Sequence, residues 1–150
     1  MNILLKTAAT AAMLLFFAHS HAFAADLTIT IDSLRSNQGQ VLLCVFSAES
    51  SDREAFPDCV KGRPVRQSKT VIAGGKVVVT YKGLKDGVYA VAAIHDENGN
   101  GELDTNFLGI PIEGIGISNN PRLLGKPQFG EARFEIKGAA TITVSAKYIL

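Results

Sequence analysis

An all-β protein, a single antiparallel β-sandwich of about seven strands, is the fold class that the sequence predicts. Three observations point to it. Short runs of alternating apolar and polar residues recur along the chain, as in Leu27-Thr28-Ile29-Thr30-Ile31, and that is the period of a strand with one face in a core. Clusters of Gly, Asn, Asp and Pro interrupt the runs at short intervals, as turns between strands do. No stretch carries apolar residues at a sustained helical period. An up-and-down β-barrel fits the same pattern and is the alternative.

The chain opens with Lys6 as its only early charge, an apolar run from Ala8 to Phe17, and then His19-Ser20-His21-Ala22-Phe23-Ala24. This is the form of a secretory signal peptide, with Ala22 and Ala24 as the small residues of an A-x-A cleavage site. The leader is therefore expected over residues 1–24 and one domain over 25–150. The apolar run is shorter than the ~20 residues a helix needs to cross a bilayer, so no membrane span is expected after cleavage. The expected location is the periplasm or the cell exterior.

Leu27 to Ile31 reads as the first strand, and Asn37-Gln38-Gly39 as a turn. Val41 to Phe46 is a continuous apolar run of strand length, expected at the centre of a sheet. Ser47 to Pro64, with its Ser, Asp, Pro and Gly, reads as a loop with a short helical turn near Asp52 to Ala55. Val65 to Ile72 and Lys76 to Tyr81 flank Ala73-Gly74-Gly75, where two glycines supply the positive φ of a tight hairpin. After a turn at Gly83 to Gly87, Val88 to His95 is a further strand. Thr105 to Gln128 has no period, and Phe129 to Ile136 and Ala140 to Tyr148 resume alternation. An immunoglobulin-like or transthyretin-like sandwich follows, with Leu27, Ile29, Ile31, Val41, Leu43, Val45, Val77, Val79, Tyr89, Val91, Phe134, Ile136, Ile142 and Val144 as its expected core.

Composition excludes several function classes. Removing the leader takes away both methionines and two of the three histidines, and leaves the fifteen basic side chains one fewer, level with the fourteen acidic ones. A neutral chain with scattered Lys and Arg is not a nucleic-acid surface. Copper and zinc sites need His, Met or thiolate ligands, of which only His95 and two cysteines remain. In an exported protein Cys44 and Cys59 are expected to form a disulfide, closing a loop of roughly 15 residues and stabilising by about 3 kcal/mol in the chain-entropy account.

Oxygen ligands are what the chain does offer. In His95-Asp96-Glu97-Asn98-Gly99-Asn100-Gly101-Glu102-Leu103-Asp104, side-chain oxygens at Asp96, Asn98 and Asn100 fall on alternate residues and Gly101 permits a sharp turn. Glu102 would add its carbonyl and Asp104 the ninth position of a Ca²⁺ loop. The twelfth position, where an EF-hand places a bidentate Glu, is Phe107, and strands rather than helices flank the loop. It is not an EF-hand. Glu113 is a candidate to fold back as an additional loop ligand. The alternative is a polar turn whose Asn and Asp side chains satisfy backbone donors.

The run from Tyr89 to Gly114, containing the acidic loop and Gly109-Ile110-Pro111-Ile112-Glu113-Gly114, with Gly116, Ser118-Asn119-Asn120 and Pro127-Gln128-Phe129-Gly130-Glu131-Ala132 behind it, resembles domain-of-unknown-function family 2141 of exported bacterial proteins. The resemblance covers most of the chain after the leader and implies an exported, small β-rich domain without supplying a chemistry. Gly83-Leu84-x-x-Gly87-x-Tyr89 also resembles the turn-into-strand signature of transthyretin-like and collagen-adhesin B-type sandwich domains, which favours a sandwich over a barrel.

The function expected from these residues is a non-catalytic, exported module with a structural Ca²⁺ site that orders a long surface loop. Its partner is an unidentified extracytoplasmic protein or glycan. A carbohydrate- or protein-binding module without metal is one alternative, with Phe107 and Phe129 as the aromatics near the long loop and no Trp in the chain. The other is a hydrolase using His95 as base and Ser118 or a loop carboxylate as partner, for which no G-x-S-x-G or similar nucleophile motif is present.

Overall fold

The alternation of the first strand becomes, in three dimensions, a strand with one wet face. In the computed structural model, which describes residues 24–150, β1 (Ala25–Asp32) buries every second residue. The expected leader lies outside the described residues except for Ala24. Antiparallel to β1 runs β4 (Val77–Leu84), and on its other side β8 (Ala139–Ser145) runs parallel to it. These three strands form one sheet. The second sheet has the order β3 (Arg66–Val71), β2 (Gln40–Ser47), β5 (Gly87–Asp96), β6 (Gly114–Ile117), with the short β7 (Phe134–Ile136) pairing with the start of β5. Two separate sheets face each other, so the architecture is the sandwich and not the barrel.

Between the sheets lies the first apolar cluster, and all fourteen residues expected in the core belong to it or pack on it, with Val79, Phe134 and Ile142 only partly buried. A second cluster covers the opposite face of the five-stranded sheet. There Leu42, Cys44 and Phe46 of β2 and Ala90, Ala92 and Ile94 of β5 meet Phe56, Ile117 and Ala132. This explains why β2 and β5 are apolar at nearly every position: both of their faces are dry. Phe46 stacks edge-on to Phe56 with centroids 5.4 Å apart, and Phe56 in turn to Phe129 at 5.9 Å. Cys44 and Cys59 are joined in a disulfide with Cα atoms 5.8 Å apart, clipping the loop after β2 to this outer face.

Three expectations need correction. The hairpin foreseen around Ala73-Gly74-Gly75 is a tight turn, with both glycines at positive φ (62° and 74°) and an Ala73–Lys76 bridge, but β3 and β4 do not pair beyond it. β3 joins β2 and β4 joins β1, so the turn carries the chain from one sheet to the other, with Ile72 tucked into the core. Phe129 to Ile136 is not one strand: Phe129–Ala132 is a single helical turn, α1. Phe129 and Ala132 stand three apart, which puts both on the face against the outer cluster. Finally, the aperiodic segment contains β6, whose Gly-Ile-Gly-Ile is too short to register as a strand. Gly116 is there because a Cβ would stand 2.8 Å from Val144 Cγ1.

Candidate functional site

β5 delivers Asp96 to the edge of the sheet opposite Gln40 of β2, and the acidic loop starts there. The Asp96 side chain is buried and turned onto the loop's own backbone. Its Oδ1 accepts the Asn100 N–H (3.0 Å), and its Oδ2 accepts the Gly101 N–H (2.8 Å) and the Gln40 side-chain amide (2.7 Å). Burial pushes this carboxyl up, but the hydrogen bonds from Gln40 and from the amides of Gly101, Gly99 and Asn100 outweigh it and hold Asp96 below the usual carboxylate range. The next two alternate residues repeat the pattern: Asn98 Oδ1 accepts the Asn100 N–H at 2.9 Å, and Asn100 Oδ1 accepts the Glu102 N–H at 2.8 Å. Gly99 and Gly101 take positive φ, 76° and 83°, as so tight a curl requires.

Asp104 closes the loop. Its carboxylate accepts the side-chain amide of Asn98 and, at 3.1 and 3.2 Å, that of Asn100. Four of the five residues expected as ligands, Asp96, Asn98, Asn100 and Asp104, are thus joined through side-chain hydrogen bonds within the loop. Glu102 contributes its backbone N–H, while its side chain is exposed. Glu113 does fold back: buried, it accepts the N–H groups of Glu97 (2.9 Å) and Asp104 (3.1 Å), one on each oxygen, and so bridges the neck of the loop. Among the described residues no group of three or more His, Cys, Asp or Glu is arranged to hold a metal ion. Any ion here would rest on two carboxylates and neutral oxygens, a hard donor set.

Partners that sequence reasoning missed come from far along the chain. Gln40 reaches Asp96 through the β2–β5 register. Glu97 pairs with Arg35 and accepts the Ser36 hydroxyl at 2.9 Å. The Arg35 guanidinium holds the Glu97 carboxyl below its ordinary value, against burial, with Ser36 adding to the effect. Arg35 also lies over the Tyr148 ring, 4.5 Å from its centroid. His95, buried, has Nδ1 2.6 Å from the Tyr148 hydroxyl and Nε2 3.0 Å from the Gln38 carbonyl oxygen. Since a carbonyl only accepts, Nε2 carries a proton, and in the neutral imidazole Nδ1 then accepts from Tyr148. Ser118 is buried elsewhere, donating to the Ala132 carbonyl (2.6 Å) and accepting from the Val91 N–H (2.9 Å). Asn119 and Asn120, both at positive φ, tie the carbonyls of Glu131, Arg133 and Thr143.

Beyond Asp104 the chain makes a small hairpin, with Ile112 N–H donating to the Asp104 carbonyl and Asn106 capping its tip through the N–H groups of Leu108 and Ile110. Phe107 at that tip is 95 % exposed. Phe129 is half-buried against Phe56. Between this hairpin, the disulfide loop, the outer face of β5 and β6, and residues 123–127 lies a cleft of about 760 Å³.

A family model described as "Uncharacterized protein conserved in bacteria (DUF2141)" matches residues 29–144. No curated protein and no solved structure matches the chain.

Proposed function

The chain belongs to domain-of-unknown-function family 2141, and from that premise we propose that it is an exported, non-catalytic β-sandwich module whose 96–104 loop holds a Ca²⁺ ion. The observation that carries this reading is the gathering of Asn98, Asn100 and Asp104 side chains above a backbone curled by Asp96. A carbonyl oxygen has two lone pairs and a carboxylate about four acceptor positions, so oxygens already bonded to one amide retain capacity for a cation. With two carboxylates the affinity is that of an extracellular module, roughly 10⁻⁴ to 10⁻³ M. The disulfide and the leader sequence support a location outside the cytoplasm. The ion's structural role is confined to the loop and hairpin, because Leu103, Ile115, Leu123 and Phe129 already anchor the longer segment on the outer cluster.

At about 1 mM Ca²⁺ and a dissociation constant near 0.1 mM, linkage adds roughly 1.4 kcal/mol to stability. Thermal melts with Ca²⁺ and with EDTA are expected to separate accordingly, and Asp104→Asn to remove the separation. Superimposed melts and a flat calorimetric titration would sink the reading. One observation favours a second: the carboxamides of Asn98 and Asn100 donate to Asp104, which closes the loop without any ion. In that case the protein is a protein- or glycan-binding module with a metal-free turn, and the melts of the unsubstituted protein with Ca²⁺ and with EDTA superimpose.

A further inference from the structure

The cleft beside the acidic loop has a chemistry of its own. Its floor is the outer face of β5 and β6, where Ala92, Ile94 and Ile115 present short or branched aliphatic side chains on paired strands. Leu103, Ile110 and Leu123 form its walls. Among the described residues no aromatic side chain lines it, so they offer no flat platform of the kind on which sugars and bases stack. Among the described residues no buried side-chain nitrogen or oxygen is left without a hydrogen-bond partner. No buried side chain among the described residues of the cleft therefore waits for a ligand's polar group, and its volume of about 760 Å³ is that of a small-molecule site.

Charge is confined to the mouth. Lys61 and Lys126 are exposed there, and no carboxylate stands within ion-pair distance of either among the described residues. Two acids also stand at the rim: Asp58, one of whose oxygens is turned onto the N–H groups of Val60 and Lys61 at 2.9 and 2.8 Å, and Glu102, so the lysines are the mouth's cations without a bonded counter-charge rather than its net charge. Leu108 and Leu124, adjacent in sequence to lining residues Gly109 and Gly125, are 66 % and 83 % exposed. An apolar guest crossing from a membrane or micelle would meet apolar surface before it reached the floor.

We propose that this cleft binds one anionic single-chain amphiphile, a fatty acid, with its aliphatic chain over Ala92 and Ile94 and its carboxylate at Lys61 and Lys126. The cleft is complete without the cation, so a negative Ca²⁺ titration leaves this proposal standing. The test is displacement of a dansyl-labelled fatty acid from the purified protein by dodecanoate, kept below its micellar concentration. Saturable, one-to-one binding is expected. Ala92→Phe, which fills the floor, and Leu123→Asp, which puts a charge on the wall, are each expected to weaken it at least about tenfold while the folded baseline persists. If the buried Ala92→Phe variant does not fold, Leu123→Asp decides alone. Lys61→Glu with Lys126→Glu should weaken dodecanoate about two- to fivefold and leave dodecanol unchanged. Binding that appears only with micelles, or is untouched by the folded cleft variants, overturns the proposal. So does concentration-dependent self-association that the cleft variants weaken and dodecanoate does not compete with, since the occupant is then a second copy of the chain.

Discussion

The two faces of the five-stranded sheet bury comparable side chains against opposite kinds of cover. On the inner face Val41, Leu43, Val45 and Val91 meet a second sheet whose strands present a side chain at every other position. On the outer face Leu42, Phe46, Ala92 and Ile94 meet a helical turn, a disulfide loop and an irregular segment. Periodic cover matches the pleat strand for strand. Irregular cover has no repeat with which to match the pleat, so it is fixed at separate points: the Cys44–Cys59 bridge, the Glu113 clamp, the Asn119 and Asn120 side chains, and Lys147, which donates to the carbonyls of Asn120 and Pro121. Between those points it leaves the cleft.

If the outer cluster is a core in its own right and not a loop resting on a sheet, truncation there should cost as much as truncation inside the sandwich. Phe46→Ala removes a ring that is 1 % exposed and touches Phe56. We expect a loss of about 3–5 kcal/mol by urea denaturation, against about 2–5 kcal/mol for Leu27→Ala on the inner side. A loss below about 0.5 kcal/mol, the range of surface substitutions, would mean that the cover contributes nothing to the fold.

The same contrast separates what was legible in the sequence from what was not. Strands of the three-stranded sheet announce themselves by alternation, since only one face is wet, and β1 was readable almost to its ends. β2 and β5 were readable as buried runs, but an all-apolar strand does not say what covers its second face. The inner core was therefore foreseen and the outer cluster was not. At the loop, the ligand-type residues lay in one local stretch and the structure does connect most of them. Gln40, Arg35, Ser36 and Tyr148 were invisible because their relation to the loop depends on register and on the return of the C-terminus, separations of 53 to 62 residues in their bonds to His95, Asp96 and Glu97. Phe129 and Ala132 were misread as strand residues for want of enough turns to reveal a helical period.

Glu113 tests whether the pinning points are local. One carboxylate serves two backbone donors, so Glu113→Gln keeps an acceptor for one of them and turns an NH₂ group toward the other. Leaving a buried N–H unmatched costs about 1–3 kcal/mol. The expected signature is faster amide exchange at Glu97 and Asp104, with amides of inner-core residues such as Ile29 and Leu43 quickened only as far as global stability changes. Equal loosening across both faces would show that the outer cover and the sandwich unfold as one unit.

The smallest effect is expected where irregular chain is held by exposed charge. Glu97 has its carboxyl depressed by Arg35, and Asp96 has its own depressed by hydrogen bonds that outweigh burial. A carboxylate whose folded-state pKa lies below its unfolded one binds fewer protons when folded, so it contributes stability above the unfolded value of about 4 and loses it as pH falls through the folded value. The melting temperature should therefore hold from neutrality to about pH 5 and decline below it. Glu97→Gln should lower the neutral plateau by a few degrees at most and flatten the upper part of the decline, leaving the part due to Asp96. Because Arg35 is exposed and Asp96 is buried, added salt should erode the Glu97 contribution and spare that of Asp96. A salt-independent decline in both proteins would assign the whole acid response to the buried carboxylate, and would place the anchoring of this loop in its own curled backbone instead of in its surface ion pair.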